Sequence, residues 1–353
     1  MSEKKLMKGN EVVGEAAIRA GCRYFFGYPI TPQNDIPAYM SRRLPEVDGV
    51  FLQAESEVAA SNMVYGASGA GARVLTSSSS PGISLKAEGI SYLAGAELPS
   101  VIVNMMRSGP GLGGIQPSQA DYFQATKGMA HGDFRLLVLA PSNVQELADL
   151  TYLAFELADK YRNPVMVLGD GMIGQMMEPV EFKEMIDPDE LPKKEWATDG
   201  AKGREKNVIN SLYLVAEDLE KHNIKLKEKY DQMREEEVRY EDYMMDDAEL
   251  AIVAYGTTAR IATSAIDKAR EEGYKVGLIR PITLFPYPEK IVAEAADKVD
   301  HFLAVEMSMG QMVEDVKLAV NGKKPVEFYG RTGGVVPTTD EIYDKIVAMR
   351  GDK

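Results

Sequence analysis

Two hydrophobic rhythms alternate along the first half of the chain. Short β-rich runs recur at residues 24–28, 50–54, 73–77, 101–106, 136–140 and 164–169. Between most of them apolar residues return every three or four positions, the spacing of a helix with one buried face. Val12, Val13, Ala16, Ala17 and Ala20 form one such stripe, with Asn10 placed to cap its start and Gly21 to end it. Another begins at Ser142, where Ser-Asn-Val-Gln sets an N-cap three residues before a glutamine, and runs on through Leu147, Leu150, Leu153 and Leu157. Strand–helix alternation of this kind predicts an α/β fold, a parallel sheet with helices on both faces.

From about residue 178 the pattern breaks. Pro179, Pro188 and Pro192 and the polar stretch 198–205 read as a connection. In residues 212–245, Leu212, Val215, Leu219, Leu226, Tyr230 and Met233 fall near one helical face, with ten acids against six bases between 217 and 242. This predicts a charge-laced amphipathic helix lying over a neighbouring domain, in preference to a coiled-coil dimer. The alternation then resumes with strands at 250–255, 275–279 and 302–306 and helices at 259–272 and from about 340. The expected organisation is a first domain over 1–195, a linker with the long helix over 196–247, and a smaller α/β domain over 248–353. A length of 353 residues suits more than one core.

Composition narrows the function classes. With 45% hydrophobic and 27% charged residues the chain reads as a soluble globular protein, and no apolar run nears the roughly 18 residues of a membrane span. The N-terminus has no apolar stretch of secretory-signal length, so a cytoplasmic location is expected. A formal charge of −14 repels phosphate backbones and anionic lipid heads, which disfavours nucleic acid and membrane partners. One cysteine, Cys22, cannot hold an iron–sulfur cluster that takes four thiolates. His131, His222 and His301 share no ligand-type spacing, so no metal site is expected within this chain.

In open parallel sheets ligands sit beyond the carboxyl ends of the strands, so the turns there carry the candidate chemistry. The first is Tyr28-Pro29-Ile30-Thr31-Pro32, in which two prolines stiffen the backbone around one hydroxyl. The second is Glu55-Ser56-Glu57, the third Thr76-Ser-Ser-Ser-Ser80-Pro81-Gly82, and the fourth runs from Arg107 to Gly114 through four glycines. Each has a plain alternative: a stiff turn, a glutamate complementing a helix dipole, or polar turn chemistry. A serine nucleophile lacks an adjacent histidine and aspartate. Arg107 is harder to dismiss, because an arginine directly after an apolar strand needs an anionic partner.

Two motifs carry less than they suggest. Gly109, Gly111 and Gly114 satisfy G-x-G-x-x-G, but Pro110 interrupts the match and Pro117 follows where a helix should run. Gly169-Asp170-Gly171 resembles the opening of the metal–diphosphate motif of thiamine enzymes, which continues with paired asparagines. Residues 190–206 contain no asparagine, so Asp170 reads as a strand-end turn.

Taken in order, Tyr28 to Pro32, Gln53-Ala-Glu-Ser-Glu-Val-Ala-Ala60, Thr76 to Gly82 and Met106-Arg107-Ser-Gly-Pro resemble the alpha subunit of 2-oxoacid:ferredoxin oxidoreductases. Ala254-Tyr-Gly-Thr-Thr258, Leu278 to Pro288 and Val305-Glu-Met-Ser-Met-Gly-Gln311 look like the transketolase C-terminal type domain that follows in that family. The resemblance spans nearly the whole chain. It implies a pyrimidine-type thiamine diphosphate domain followed by a transketolase C-terminal-like α/β domain. The implied reaction is oxidative decarboxylation of a 2-oxoacid to an acyl-CoA and carbon dioxide, with coenzyme A as cosubstrate and ferredoxin as electron acceptor.

The resemblance also assigns roles. Glu57 matches the catalytic glutamate that contacts N1′ of the cofactor's aminopyrimidine ring, with Glu55 its nearest rival. Tyr28, Pro29, Ile30 and Ser80 adjoin the cofactor, and Thr31 and Arg107 match residues that hold the substrate carboxylate. The diphosphate and Mg²⁺ are implied to sit on a beta subunit and the 4Fe–4S clusters on other chains, gamma and a ferredoxin-like delta. The loop 108–122 looks most like the branched-chain subfamily acting on 2-oxoisovalerate. A 2-oxoglutarate enzyme needs a second cation, which this loop lacks and which Lys127 or a partner would have to supply. Two other classes stay open: a self-sufficient transketolase-type enzyme, which needs its own metal motif, and a non-catalytic scaffold subunit in which Glu57 and Arg107 are replaceable.

Overall fold

A computed structural model describes residues 4–350; the ends of the first and last expected domains, 1–3 and 351–353, lie outside the described residues. The first half contains strands β1 (Lys5–Lys8), β2 (Tyr24–Gly27), β3 (Val50–Gln53), β4 (Val74–Ser78), β5 (Ser100–Met106), β6 (Leu137–Leu139), β7 (Pro164–Asp170) and β8 (Met177–Val180). Helices α1 (Gly9–Arg19), α2 (Asp35–Arg43), α3 (Glu57–Gly69), α4 (Pro81–Gly95), α5 (Tyr122–Thr126), α6 (Val144–Tyr161) and α7 (Gly171–Gln175) connect them. Next come α8 (Ala216–Glu236), β9 (Tyr240–Tyr243), β10 (Leu250–Val253), α9 (Gly256–Glu271), β11 (Val276–Pro281) and β12 (Thr283–Phe285). The chain closes with α10 (Glu289–Ala295), β13 (His301–Glu306), α11 (Met312–Val320), β14 (Val326–Gly330) and α12 (Thr339–Arg350).

β2 to β7 form a parallel sheet in the order β6-β7-β5-β4-β2-β3, as the alternation predicts. Its central strands, β4, β5 and β7, are buried at every position, which is why they read as unbroken apolar runs rather than alternating ones. A second sheet, ordered β14-β13-β10-β11-β9, is parallel except for β9. Five strands, β1, β8, β9, β12 and β14, are not separable from their surroundings by pattern. β9 sits in the stretch expected to be helical and pairs with β11, while β12, from the second half of the chain, adds antiparallel to β6 and completes the first sheet. One apolar core continues across both halves, joining Val103 and Val167 to Val253 and Phe302.

Two helix starts, those of α1 and α6, differ from expectation by one to two residues. α1 begins at Gly9, and Asn10 lies inside it, donating to the Pro32 carbonyl oxygen (2.8 Å) and to Asp35 (3.0 Å) instead of capping. α6 is capped by Asn143 and not Ser142: Asn143 accepts from Glu146 N at 2.8 Å and the Glu146 carboxylate accepts from Ser142 N at 2.9 Å. The acid that folds back on the helix start is thus Glu146, one position after the glutamine, and it meets the N–H of the residue before the N-cap. In α8 only the C-terminal part of the stripe is covered. Leu226, Tyr230 and Met233 are buried, whereas Leu212, Val215 and Leu219 are exposed, and Lys225 and Lys229 reach Glu97 below the helix.

This docking gives a stability prediction. Met233→Ala, at a fully buried position, is expected to lower unfolding free energy by about 2–5 kcal/mol in urea. Leu214→Ala, at a position 90% exposed, should change it by less than about 0.5 kcal/mol.

Candidate active site

The turns after β2, β3, β4, β5 and β7 meet at the carboxyl edge of the first sheet. Between β2 and α2 the Tyr28 to Pro32 turn leaves Tyr28, Pro29 and Thr31 exposed and Ile30 half-buried. A fully buried glutamine, Gln33, fixes it: Gln33 N donates to the Ile30 carbonyl oxygen (3.0 Å), Nε2 to that of Tyr28 (3.3 Å), and Oε1 accepts from Ser77 Oγ (2.5 Å). The stiff turn is thus tied to β4 and cannot drift from the sheet.

Glu57 is the first residue of α3. Ser56 caps the helix by accepting from Ala59 N, and Glu57 packs inward at 5% exposure. Its rival Glu55 is exposed. Facing Glu57 is Gly82 at the start of α4, where a Cβ would lie 2.7 Å from Glu57 Oε1 and 2.0 Å from Ser78 Oγ. Only a residue without a side chain lets Glu57 and Ser78 approach the α4 backbone this closely. Two hydroxyls of the serine run, Ser78 and Ser79, are buried with no hydrogen-bond partner among the described residues.

Ser80 occupies the turn before α4 with φ of 29°, in the region that disfavours side chains. Its hydroxyl donates to Asp121 Oδ2 (2.7 Å) and accepts from Arg107 N (3.0 Å), and its own N–H donates to Asn104 Oδ1 (3.1 Å). Asn104 donates to Asp121 as well (2.9 Å), and burial pushes the Asp121 carboxyl up against those two hydrogen bonds. The Ser80 side chain is therefore engaged within the protein, holding β4, β5 and the loop after β5 together.

Arg107 closes the group. It is buried, and its guanidinium donates to the Thr31 carbonyl oxygen (3.0 Å) and the Leu112 carbonyl oxygen (3.2 Å), while Nε is buried without a partner. No carboxylate among the described residues pairs with it. A buried cation bonded only to carbonyls favours an anion close by. Beside Thr31 opens a cavity of about 680 Å³, bounded by Ile115, Gln116, Gly171, Met172 and Gly334.

The other candidate groups are engaged elsewhere. Asp170 caps α7, accepting from Met172 N and Ile173 N, and its second oxygen accepts from Thr257 Oγ1 at 2.6 Å. Burial raises the Cys22 thiol to about 12, far from thiolate chemistry. Lys127 is paired with Asp315 and lines a different cleft. Lys86, which the sequence reading passed over, is fully buried on α4 and donates to Thr76 Oγ1 at 2.6 Å. A lysine at the three–four spacing of Ile83 and Ile90 was the available signal.

Both halves of the chain match family models. Residues 15–244 match the pyruvate flavodoxin/ferredoxin oxidoreductase thiamine diphosphate-binding model and 248–342 match the pyruvate:ferredoxin oxidoreductase core domain II model. The ketoisovalerate oxidoreductase subunit VorB of Methanothermobacter thermautotrophicus is 53% identical over 99% of this chain and 98% of its own length. The 2-oxoglutarate synthase subunit KorA of Archaeoglobus fulgidus is 37% identical over 93% and 95%. The 2-oxoglutarate:ferredoxin oxidoreductase of Magnetococcus marinus shares the fold with a TM-score of 0.85 at 24% identity, over 98% of this chain, which spans 65% of that longer one. A split-gene transketolase aligns with a TM-score of 0.59 at 12% identity. The thiamine-binding model and the full-length similarity place the chain: it belongs to the 2-oxoacid:ferredoxin oxidoreductase family, as an alpha-type subunit.

Proposed function

We propose that this chain supplies the activating glutamate and the substrate-carboxylate clamp of an enzyme that oxidatively decarboxylates 2-oxoisovalerate to its acyl-CoA. The observation that carries the reading is the buried Glu57 carboxylate packed against Gly82, on the same sheet edge as a buried Arg107 with no carboxylate partner among the described residues.

The residues present fit an aminopyrimidine ring. Glu57 is buried at the sheet edge, the Ser78 and Ser79 hydroxyls lack partners among the described residues, and Tyr28, Pro29 and Ile30 offer an apolar wall held by Gln33. When bound, thiamine diphosphate supplies the nucleophilic carbon that attacks the 2-oxo group. Glu57 holds and returns a proton at N1′, and the buried position of its carboxyl keeps water from competing. Arg107 and Thr31 orient the departing carboxylate, and Ser80 with Asp121 keeps Arg107 in place. The diphosphate, its Mg²⁺ and the 4Fe–4S clusters belong to beta, gamma and delta chains. Asp170, whose oxygens already accept three hydrogen bonds, supports that division. A cytoplasmic enzyme coupled to ferredoxin follows, its domains divided near residues 195 and 247.

The substrate assignment draws on the 53% identical relative, named a ketoisovalerate oxidoreductase subunit, and on local chemistry. Leu112 and Ile115 put apolar side chains on the loop beside Thr31, and Lys127, the cation a second carboxylate would require, is held by Asp315.

Glu57→Gln should leave assembly intact and lower ferredoxin reduction by at least about a hundredfold, the scale of a lost general acid–base group; ordinary turnover sinks the assignment. In the assembled complex, kcat/KM should favour 2-oxoisovalerate over pyruvate, 2-oxoglutarate and an aryl pyruvate by at least about tenfold, equivalent to roughly 1.4 kcal/mol of transition-state discrimination. A preference for 2-oxoglutarate refutes it. Gly82→Ala, which pushes on Glu57 and Ser78, should weaken thiamine diphosphate binding by about ten- to a hundredfold, the 1–3 kcal/mol of overpacking a close contact, read from cofactor titration by fluorescence.

A further inference from the structure

Lys86 is the one buried ammonium beside the proposed centre with no part in it so far. It lies in the second turn of α4, fully buried. Its amino group donates to Thr76 Oγ1 at 2.6 Å, and that hydroxyl donates in turn to the Phe26 carbonyl oxygen, also at 2.6 Å. A lysine ammonium has three donors and is almost never fully buried without a charged partner. Among the described residues its one hydrogen-bond acceptor is a hydroxyl.

The missing counter-charge sits on the next helix. α3 and α4 pack side by side, and their first turns approach at Gly82, whose Cβ position falls against Glu57. Burial pulls the Lys86 amino group down to about 7, opposed by the negative charge of Glu57. Among the charged groups of α3, β4 and β7, the elements packed around it, Glu57 is the one whose charge acts on Lys86.

We propose that Lys86 is a positioning residue for Glu57, a buried counter-charge for its carboxylate across the α3–α4 contact. The proposal rests on the reading of Glu57 as the activating glutamate. A carboxyl that hands its proton to a ring nitrogen becomes a buried anion, and a buried anion is costly without a cation nearby. Lys86 forms no bond to substrate or cofactor and acts through its charge, which the folded chain holds up to about pH 7. Its charge stabilises the carboxylate side of the transfer, and Thr76 fixes where that charge stands.

The first test uses the full chain alone, without cofactor, unfolded in urea between about pH 6 and 10 as wild type, Glu57→Gln and Lys86→Met. A folded-state lysine value below the unfolded one means that the unfolded chain binds more protons between about 7 and 10.5. Stability therefore rises with pH across that window, the unfolding constant falling by up to about tenfold per unit. Lys229, also lowered by burial to about 8, contributes equally to all three proteins and cancels in their differences. Lys86→Met should lose the Lys86 part of the rise. Glu57→Gln should move its onset to lower pH, because the charge that helps hold the proton is gone. Superimposable curves for wild type and Glu57→Gln overturn the proposal, and this comparison stands even if Lys86→Met does not fold.

The second test uses the assembled complex. Lys86→Met should lower kcat by about ten- to a hundredfold while KM for the 2-oxoacid changes by less than about threefold, and should shift the acid limb of the rate profile upward in pH. An unshifted profile overturns the role of Lys86 even where Glu57→Gln is inactive. Full turnover in Glu57→Gln removes the Glu57 reading instead, so the two failures are told apart.

Discussion

The arrangement of the active edge depends on one buried amide. Gln119 is fully buried and uses its whole side chain between the two halves: Nε2 donates to the Tyr255 carbonyl oxygen (2.8 Å), and Oε1 accepts from Met307 N (2.9 Å) and Thr258 Oγ1 (3.0 Å). Its backbone N–H donates to the Met307 carbonyl oxygen at 2.8 Å. A buried amide with every group satisfied is directional in a way that apolar packing is not, so it fixes one mutual placement of the sheets. The loop that begins at Arg107 is thereby anchored at both ends, by Ser80 at β5 and by Gln119 against the second sheet. Asp170 adds a parallel tie through Thr257, and Glu306 holds the far side by accepting from the first amides of α11.

Much of the fold was legible because its strands are short, apolar and separated by helical stripes. Each of the six β-rich runs of the first half contains a strand, and strands likewise occupy the three expected in the second. What pattern misplaced were features decided by partners distant in sequence. Asn10 has the chemistry of a cap, but Pro32 and Asp35 claim its amide, so the helix begins one residue before it. The apolar stripe from Leu212 to Met233 is continuous in sequence, yet only its last turns find a surface to cover. β12 and β14 are too short or too exposed to announce themselves by periodicity.

The site divides in the same way. Glu57, Thr31 and Arg107 stand at strand ends, where residue type alone signals chemistry. Gln33, Asn104, Asp121 and Lys86 do not. Each acts through a hydrogen bond or a field reaching across the sheet or between helices, and only three-dimensional neighbours distinguish Lys86 from an ordinary solvated lysine. Ser80 is the intermediate case: its position was expected at the cofactor, and its hydroxyl is occupied in bracing the turn.

β12 has a consequence for how such a chain can be divided. It lies between β11 and β13 of the second sheet in sequence but completes the edge of the first sheet, pairing Thr283 with Leu139 and Phe285 with Val138. A fragment ending at the apparent linker would expose β6 as an open edge, with its backbone amides and carbonyls free to recruit any passing strand. The two halves are interleaved, so gene splitting at this point yields a sticky fragment rather than an independent module, and rearrangements that keep the sheet closed must carry residues 283–285 along with it.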